Sequence, residues 1–504
     1  MRRTAKNLWL LAGSVILAIP VSAPAAQRAD LPARTATALK LAREALNSNN
    51  CSSVLQGMAP IIGDDDFAEL PERVRGMALT MTAVCEGRAG QLVPALAHIR
   101  TVTTFAIAPD FAWTLRLSLE TQAHDLTGAV TTLEEMQRIA PSALLQVKPD
   151  FFVYLNRTLK KAPDGASPRA RLLALASDPA FGPGRYAPSF DLLRLDHARL
   201  LAASGDMAGA AAQVARIDSH VVLVEASVDP LLRAAIPQNY DMAAATRREI
   251  FALARLSAER SDLLSLVIAQ AEAHRAVGEA DKALALLESA RPEGVLAAHF
   301  LDKDDKLNWW WDELASTYTQ LGRYDDTVAA LKSAIKAGEN GGVNVSQLLN
   351  LASLQNRMGH PQDALETLGR IDITAEKKAS SFGKMVFYRT RGCAAHRIGK
   401  TAEAKADLAY LTAHAKDGLS LLEDLQVCMG DADGAAATMI ARLSDSDQQT
   451  DALIGLATYN EWPANLPPDP SDEARKRVIA RADVQAAIAR AGGTRTFNIL
   501  PRSL

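Results

Sequence analysis

Residues Asn308–Ala334 read NWWWDELASTYTQLGRYDDTVAALKSA, and the reading of this stretch decides the fold. Trp311, Leu314 and Tyr318 recur at three- and four-residue intervals, the spacing that places side chains on one face of a helix. Gly322 stands where that periodicity stops, and glycine enters the left-handed conformation that ends a helix at little steric cost. A second periodic run follows at once through Thr327, Leu331 and Ala334. Small Thr327 lets the second helix approach the first, while Leu331 and Ala334 fill the seam between them. The stretch is one antiparallel helical hairpin.

The same turn recurs along the chain. Gly205, Gly278, Gly359, Gly399 and Gly430 each begin a Gly-x-x-x-x-Ala run, and with Gly322 they are spaced 73, 44, 37, 40 and 31 residues apart. The first interval is about two repeats. Weaker copies turn near Asn49, Gly87 and His124. Nine residues beyond the nine turn starts stand Met58, Leu96, Leu133, Val214, Leu287, Leu331, Leu368, Leu408 and Met439, all apolar in a chain that is 48% hydrophobic. In both of its helices the unit resembles the tetratricopeptide repeat. The resemblance covers most of residues 35–449 and is sharpest from 264 to 449. It implies an all-α fold, an α-solenoid of stacked hairpins in which each repeat buries its apolar side against its neighbours. Composition points the same way: aromatic residues are only 5%, so the apolar mass is chiefly helix-forming Ala and Leu.

The breaks divide the array. A hairpin block is expected over 31–160, a loop-rich linker over 161–187 (Pro163, Gly165, Pro168, Gly182, Pro183 and Gly184), the main array over 188–460, a Pro-rich linker over 461–470, and one capping helix with a tail over 471–504. That last helix reads as Asp472 to Ala491, ended by Gly492-Gly493; the tail has no reading of its own.

The N-terminus reads as a secretory signal over residues 1–25. Arg2, Arg3 and Lys6 precede the apolar run Leu8–Ile19, and Ala23-Pro24-Ala25 supplies small residues for cleavage. The run is shorter than the roughly 20 residues a membrane span needs, so no integral membrane segment is expected after cleavage. The mature chain would keep 479 of the 504 residues, and its formal charge would go from −3 to −6 with the loss of those three cations. A mildly acidic chain without a Lys/Arg block gives no electrostatic case for nucleic acid or for an anionic membrane, and no nucleic-acid partner is expected. A periplasmic or secreted location follows. Four cysteines in an oxidising compartment allow three pairings; the separations favour Cys51 with Cys85 and Cys393 with Cys428, 34 and 35 residues apart and close to one repeat. Four buried free thiols are the alternative.

The sequence offers no catalytic constellation, no metal site and no cofactor motif. The nine histidines are scattered, and Cys393 with His396 is a two-residue pairing, which does not make a metal site. Gly392 is six residues from Gly399-Lys400-Thr401 where a phosphate loop requires four. Ser333–Lys336 and Ser381–Lys384 spell Ser-x-x-Lys without the partner motifs that class of enzyme needs. After residue 449 only 55 residues remain, too few for the catalytic domain that follows such an array in soluble lytic transglycosylases.

The family resemblance implies a protein or peptide partner on the concave wall formed by first helices. Projecting the repeat places Trp309, Asp312, Leu349, Asn350, Ser353, Asn356, Arg357, Arg389, His396 and Arg397 there. The arginines Arg357, Arg389 and Arg397 suit a carboxylate-bearing segment. Some family members grip a C-terminal carboxylate with a two-carboxylate clamp. Asn350 matches its central asparagine, whereas Asp312, Ser316, Val386 and Thr390 depart from its flanking positions, so the clamp itself is not implied. The reading is a non-catalytic scaffold in envelope assembly, secretion or polysaccharide export; the alternative is an accessory subunit of an envelope enzyme complex, or an enzyme with a site around His396 and Arg397.

Overall fold

The computed structural model describes residues 32–181, 190–293, 298–337, 344–373, 379–461, 469 and 471–501. The leader proposed at 1–25 lies outside them, as do Gly182-Pro183-Gly184, most of the Pro-rich linker and the last three residues of the tail. The described residues are all-α, with one isolated bridge between Thr458 and Thr496. Contacts divide the chain into Met1–His197 and Ala198–Leu504.

The first unit runs through α1 (Ala33–Asn47), α2 (Cys51–Ile62), α3 (Glu72–Arg88), α4 (Leu92–Val102), α5 (Asp110–Gln122), α6 (Leu126–Ile139), the single turn α7 (Pro141–Leu144), α8 (Pro149–Lys161) and α9 (Ala166–Ala176). The pairs α1/α2, α3/α4, α5/α6 and α8/α9 pack side by side. Helix α9 corrects the loop-rich reading of 161–187. Its Pro168 occupies the first turn, where the missing N–H has no helical partner to lose, and Leu172 and Leu173 are fully buried in the cluster around Phe152.

Helix α10 (Phe190–Ala203) carries the boundary. The second unit continues with α11 (Met207–Val214), α12 (His220–Val228), α13 (Met242–Glu259), α14 (Leu264–Ala276), α15 (Ala280–Ser289), α16 (Lys303–Gln320), α17 (Tyr324–Ala337), α18 (Val345–Arg357), α19 (Pro361–Leu368), α20 (Ser381–Arg397), α21 (Thr401–Ala413), α22 (Leu419–Cys428), α23 (Ala432–Ser444) and α24 (Gln449–Leu456). Hairpins α14/α15, α16/α17, α18/α19, α20/α21 and α22/α23 follow one another; α14 also packs on α16, α18 on α20 and α20 on α22, and a side-chain hydrogen bond from Asn350 to Asp312 joins α18 to α16. Each unit is thus a tetratricopeptide-like row of adjacent hairpins.

One turn chemistry repeats through both units. Asn49, Gly90, His124, Gly205, Gly278, Gly322, Gly359, Gly399 and Gly430 all have φ between 57° and 89°. At each, the following N–H reaches back five residues to a carbonyl, as from Arg323 to Tyr318 (2.9 Å), His360 to Gln355 (2.8 Å) and Asp431 to Gln426 (2.9 Å). This bond satisfies carbonyls that the helix end would leave unpaired. The expected turn at Gly87 is corrected to Gly90, because Gly87 lies inside α3. Five residues beyond the nine turns stand Val54, Ala95, Ala129, Ala210, Ala283, Thr327, Ala364, Ala404 and Ala435, all at most 2% exposed. These small residues sit at the helix crossings. Nine residues beyond, Met58, Ile99, Leu133, Val214, Leu287, Leu331, Leu368 and Met439 are buried, and Leu408 is partly so.

Disulfides join Cys51 to Cys85 and Cys393 to Cys428, with Cα atoms 5.0 and 5.8 Å apart. They staple α2 to α3 and α20 to α22. The C-terminal cap is two helices, not one: α25 (Asp472–Ile479) and α26 (Ala482–Arg490), broken at extended Arg481. Beyond Gly493 the tail is ordered by backbone pairing, Thr458 N–H to Arg495 (2.8 Å), Phe497 N–H to Thr458 (2.8 Å) and Leu500 N–H to Ala276 (2.8 Å). Phe497, Ile499 and Leu500 are buried.

Candidate functional site

The first helices of four consecutive hairpins, α16, α18, α20 and α22, build one wall. Six residues before their turn glycines stand Ser316, Ser353, Cys393 and Asp424, and all four line a single cavity of about 480 Å³. Two residues before the glycines, Arg357, Arg397 and Cys428 line it as well. Positions four apart share a helix face, so one stripe on each first helix supplies the wall. Asp469, Ser471, Asp472 and Arg475, leading into and along α25, complete it.

Charge is distributed unevenly on that wall. Arg275 is buried against Glu313, with hydrogen bonds of 2.6 and 3.1 Å. Arg397 donates to Asp469 (2.9 Å), to Ser471 Oγ (3.1 Å) and to the Asn356 carbonyl. Arg475 donates to Glu423 (2.9 Å) and Asp424 (2.5 Å). Arg357 and Arg389 differ: among the described residues neither has a carboxylate partner, and the Nε of each is buried without an acceptor. The Asn356 Oδ1 is also buried and unpartnered, on a side chain only 4% exposed.

Burial raises the Asp312 carboxyl above its ordinary range, opposed by hydrogen bonds from Asn350 and Gln347 and by the charge of Arg275. Asp469 goes the other way. Burial works against its charge, but the Ser471 backbone N–H, Arg397 and Arg357 together hold it below the usual carboxylate range.

The structure brings Asn350, Asn356, Arg357, Arg389 and Arg397 into this cavity, with Asp312 and Ser353. The Asn350 amide donates to Asp312 (2.7 Å), and Ser353 shares a hydrogen bond with Thr390 (3.1 Å). His396 lies half-buried on α20 and Trp309 is 61% exposed on α16; neither lines the cavity. Leu349 is corrected from wall to core, being packed with Leu348 and Ala352. Of Trp309, Trp310 and Trp311, the last two are the buried pair.

Arg275, Asp424, Asp469, Ser471 and Arg475 escaped the sequence reading. Extending the projection one repeat in each direction would have reached Arg275 and Asp424. No repeat spacing points to Asp469–Arg475, which follow the last hairpin and return to the wall. Among the described residues, no three His, Cys, Asp or Glu side chains converge to hold a metal ion, and no helix is long and apolar enough to cross a membrane.

No family model and no curated protein matches the chain. Among solved structures it is similar to a chain of the APC/C heterotetramer Cut9–Hcn1 at 12% identity, covering 91% of this chain and 90% of that one, with a TM-score of 0.29. It is also similar to a chain of the Naa15/Naa10 assembly bound to HypK-THB at 11% identity, covering 90% and 87%, with a TM-score of 0.23. Neither superposition is close enough to bear on the site. The turns and helix crossings described above carry the fold.

Proposed function

We propose that the chain is a non-catalytic scaffold whose cavity along α16, α18, α20 and α22 takes an acidic or C-terminal segment of a partner protein. One observation carries this reading: Arg357 and Arg389 line the cavity with no carboxylate in hydrogen-bond or ion-pair contact among the described residues, Asp469 acting on Arg357 only at longer range, while Arg275, Arg397 and Arg475 are each paired with at least one. A buried donor left unmade costs on the order of 1–3 kcal/mol, and a ligand carboxylate that meets it forms a charge-assisted hydrogen bond. Asn350, Ser353 and Ser471 offer neutral polar groups for a peptide backbone beside it. Binding of this kind needs no reacting side chain.

The basic, apolar and small-residue order of residues 1–25 and the two disulfides support a periplasmic or secreted setting. Envelope assembly, secretion or polysaccharide export are the settings in which such a scaffold would serve.

Fluorescence anisotropy with labelled acidic peptides, each made with a free and an amidated C-terminus, tests the proposal. Tighter binding of at least one acidic or free-carboxylate peptide is expected, with the preference lost in the Arg357→Glu/Arg389→Glu chain. Equal binding by wild type and variant would overturn it.

A further inference from the structure

We propose that the Cys393–Cys428 disulfide is a thiol-exchange site, and that its reductant is a carboxylate-bearing low-molecular-weight thiol seated in the same cavity. The inference rests on the anion-binding reading above. Both cysteines line that cavity. Cys393 is 5% exposed and Cys428 half-buried, so Cys428 is the more accessible residue of the pair. On α20, Cys393 lies four residues after Arg389 and four before Arg397. One helix face therefore carries a guanidinium on either side of the sulfur.

The negative groups of the wall are engaged. Asp424, four residues before Cys428, accepts from Arg475 at 2.5 Å. Asp469 accepts from Arg397 at 2.9 Å and Asp312 from Asn350 at 2.7 Å, while Asp472 accepts from the Asp469 N–H at 3.2 Å. Arg389 and Arg357 are left to meet a ligand: neither is in ion-pair contact with a carboxylate among the described residues, and Arg357 acts on Asp469 only at longer range. A small thiol whose carboxylates meet these guanidiniums is held beside the disulfide.

The ligand thiolate attacks Cys428 Sγ and forms a mixed disulfide. The S–S bond breaks, and its electron pair leaves on Cys393 Sγ as a thiolate next to Arg389. Positive neighbours lower a thiol's pKa, and a lower pKa makes the better leaving group. A second small thiol attacks the mixed disulfide, frees the small-molecule disulfide and leaves Cys428 to take up a proton. Two electrons pass from two thiols to the protein. The staple between α20, which carries Arg389 and Arg397, and α22, which carries Asp424, is then open, so the redox state of the pair bears on the geometry of the binding wall.

Cys51–Cys85 is an internal control. Cys85 is fully buried in the α1–α3 core, and neither residue lines the cavity. Cys51 opens α2, and a helix N-terminus also favours its thiolate; the comparison therefore turns on the charge of the reductant.

Oxidised full-length protein is treated with glutathione or its diethyl ester, and each disulfide is followed by alkylation and peptide mass spectrometry. Relative to the ester, glutathione should favour Cys393–Cys428 over Cys51–Cys85 by at least about tenfold, the lower end of electrostatic rate effects in charged clefts. Arg357→Gln/Arg389→Gln should abolish that preference. An equal ratio at both disulfides, or a preference that survives the substitutions, would overturn the inference. If acidic peptides still bind through these arginines, only the thiol-exchange step fails; if peptide binding is lost with it, the anion site itself fails.

Discussion

Arg275 on α14 and Glu313 on α16 face each other across successive hairpins through hydrogen bonds of 2.6 and 3.1 Å, both side chains less than 10% exposed. The Gln320 amide also donates to the Arg275 carbonyl (3.1 Å). These contacts tie one repeat to the next with polar groups, where most of the array uses apolar ones. Burial pushes the Glu313 carboxyl up to about 7, so above that pH Glu313→Gln takes the hydrogen-bonded carboxylate from a buried guanidinium and should cost about 3–5 kcal/mol. Urea unfolding measures this. The double change Arg275→Met/Glu313→Leu should recover most of the loss, because it removes both charges.

Gly359 and Gly392 separate two uses of glycine. Gly359 has φ of 81° with open space where a Cβ would stand, so Gly359→Ala should cost about 1–2 kcal/mol through backbone strain alone. Gly392 is helical, yet a Cβ there would lie 3.0 Å from both Asp407 Cβ and a Leu425 methyl. Gly392→Ala should therefore disturb the packing of α20 on α21 and α22 despite alanine's better helix propensity. Thermal melts of the two variants, with hydrogen exchange to locate the change, distinguish the cases.

Ala364 is fully buried at the α18/α19 crossing. Ala364→Arg places a long charged chain where no volume exists, and a loss of more than about 3 kcal/mol is expected. An unmoved circular-dichroism melt would contradict the alignment of the repeats.

How much of this was legible follows from the period. A left-handed turn residue and the small residue five positions later are local requirements repeated nine times, seven of them with glycine at the turn, so the hairpins from Gly205 to Gly430 could be read directly. Non-glycine turns were harder: Asn49 and His124 have φ of 59° and 57°, and asparagine and histidine tolerate that region without announcing it. At the second turn two glycines stand three residues apart, and only Gly90 has positive φ. Helix α9 was hidden by Pro163 and Pro168, which stand before it and in its first turn. Wall residues supplied by first helices could be projected because their spacing is helical. Asp469–Arg475 could not, since their approach to the wall depends on long-range pairs such as Arg397–Asp469 and Arg475–Asp424.

The attachment of Asp469 should depend on pH in one direction. Its folded pKa is depressed, so its contribution is present above the unfolded carboxylate value and is lost as pH falls through the folded one. Hydrogen exchange in α25 should stay slow from neutral pH down to the ordinary carboxylate range and rise below it. Asp469→Asn should show faster exchange at neutral pH, with the acid step removed.

Each disulfide closes a loop of 34 or 35 residues, and removing either should cost about 3–4 kcal/mol in the chain-entropy description. Paired Cys→Ser variants compared by chemical unfolding check the figure.

The most direct measurement on the central claim is the unfolding free energy of the Arg357→Met/Arg389→Met chain with no ligand present. If these two guanidiniums wait for an external anion, no hydrogen bond or close ion pair of the folded protein is lost with them and only the longer-range attraction of Arg357 for Asp469 goes, so stability should change by no more than about 1 kcal/mol in either direction. A loss of more than about 2 kcal/mol would mean that they are structural ion-pair members, and it would contradict the assignment of the cavity as a binding site.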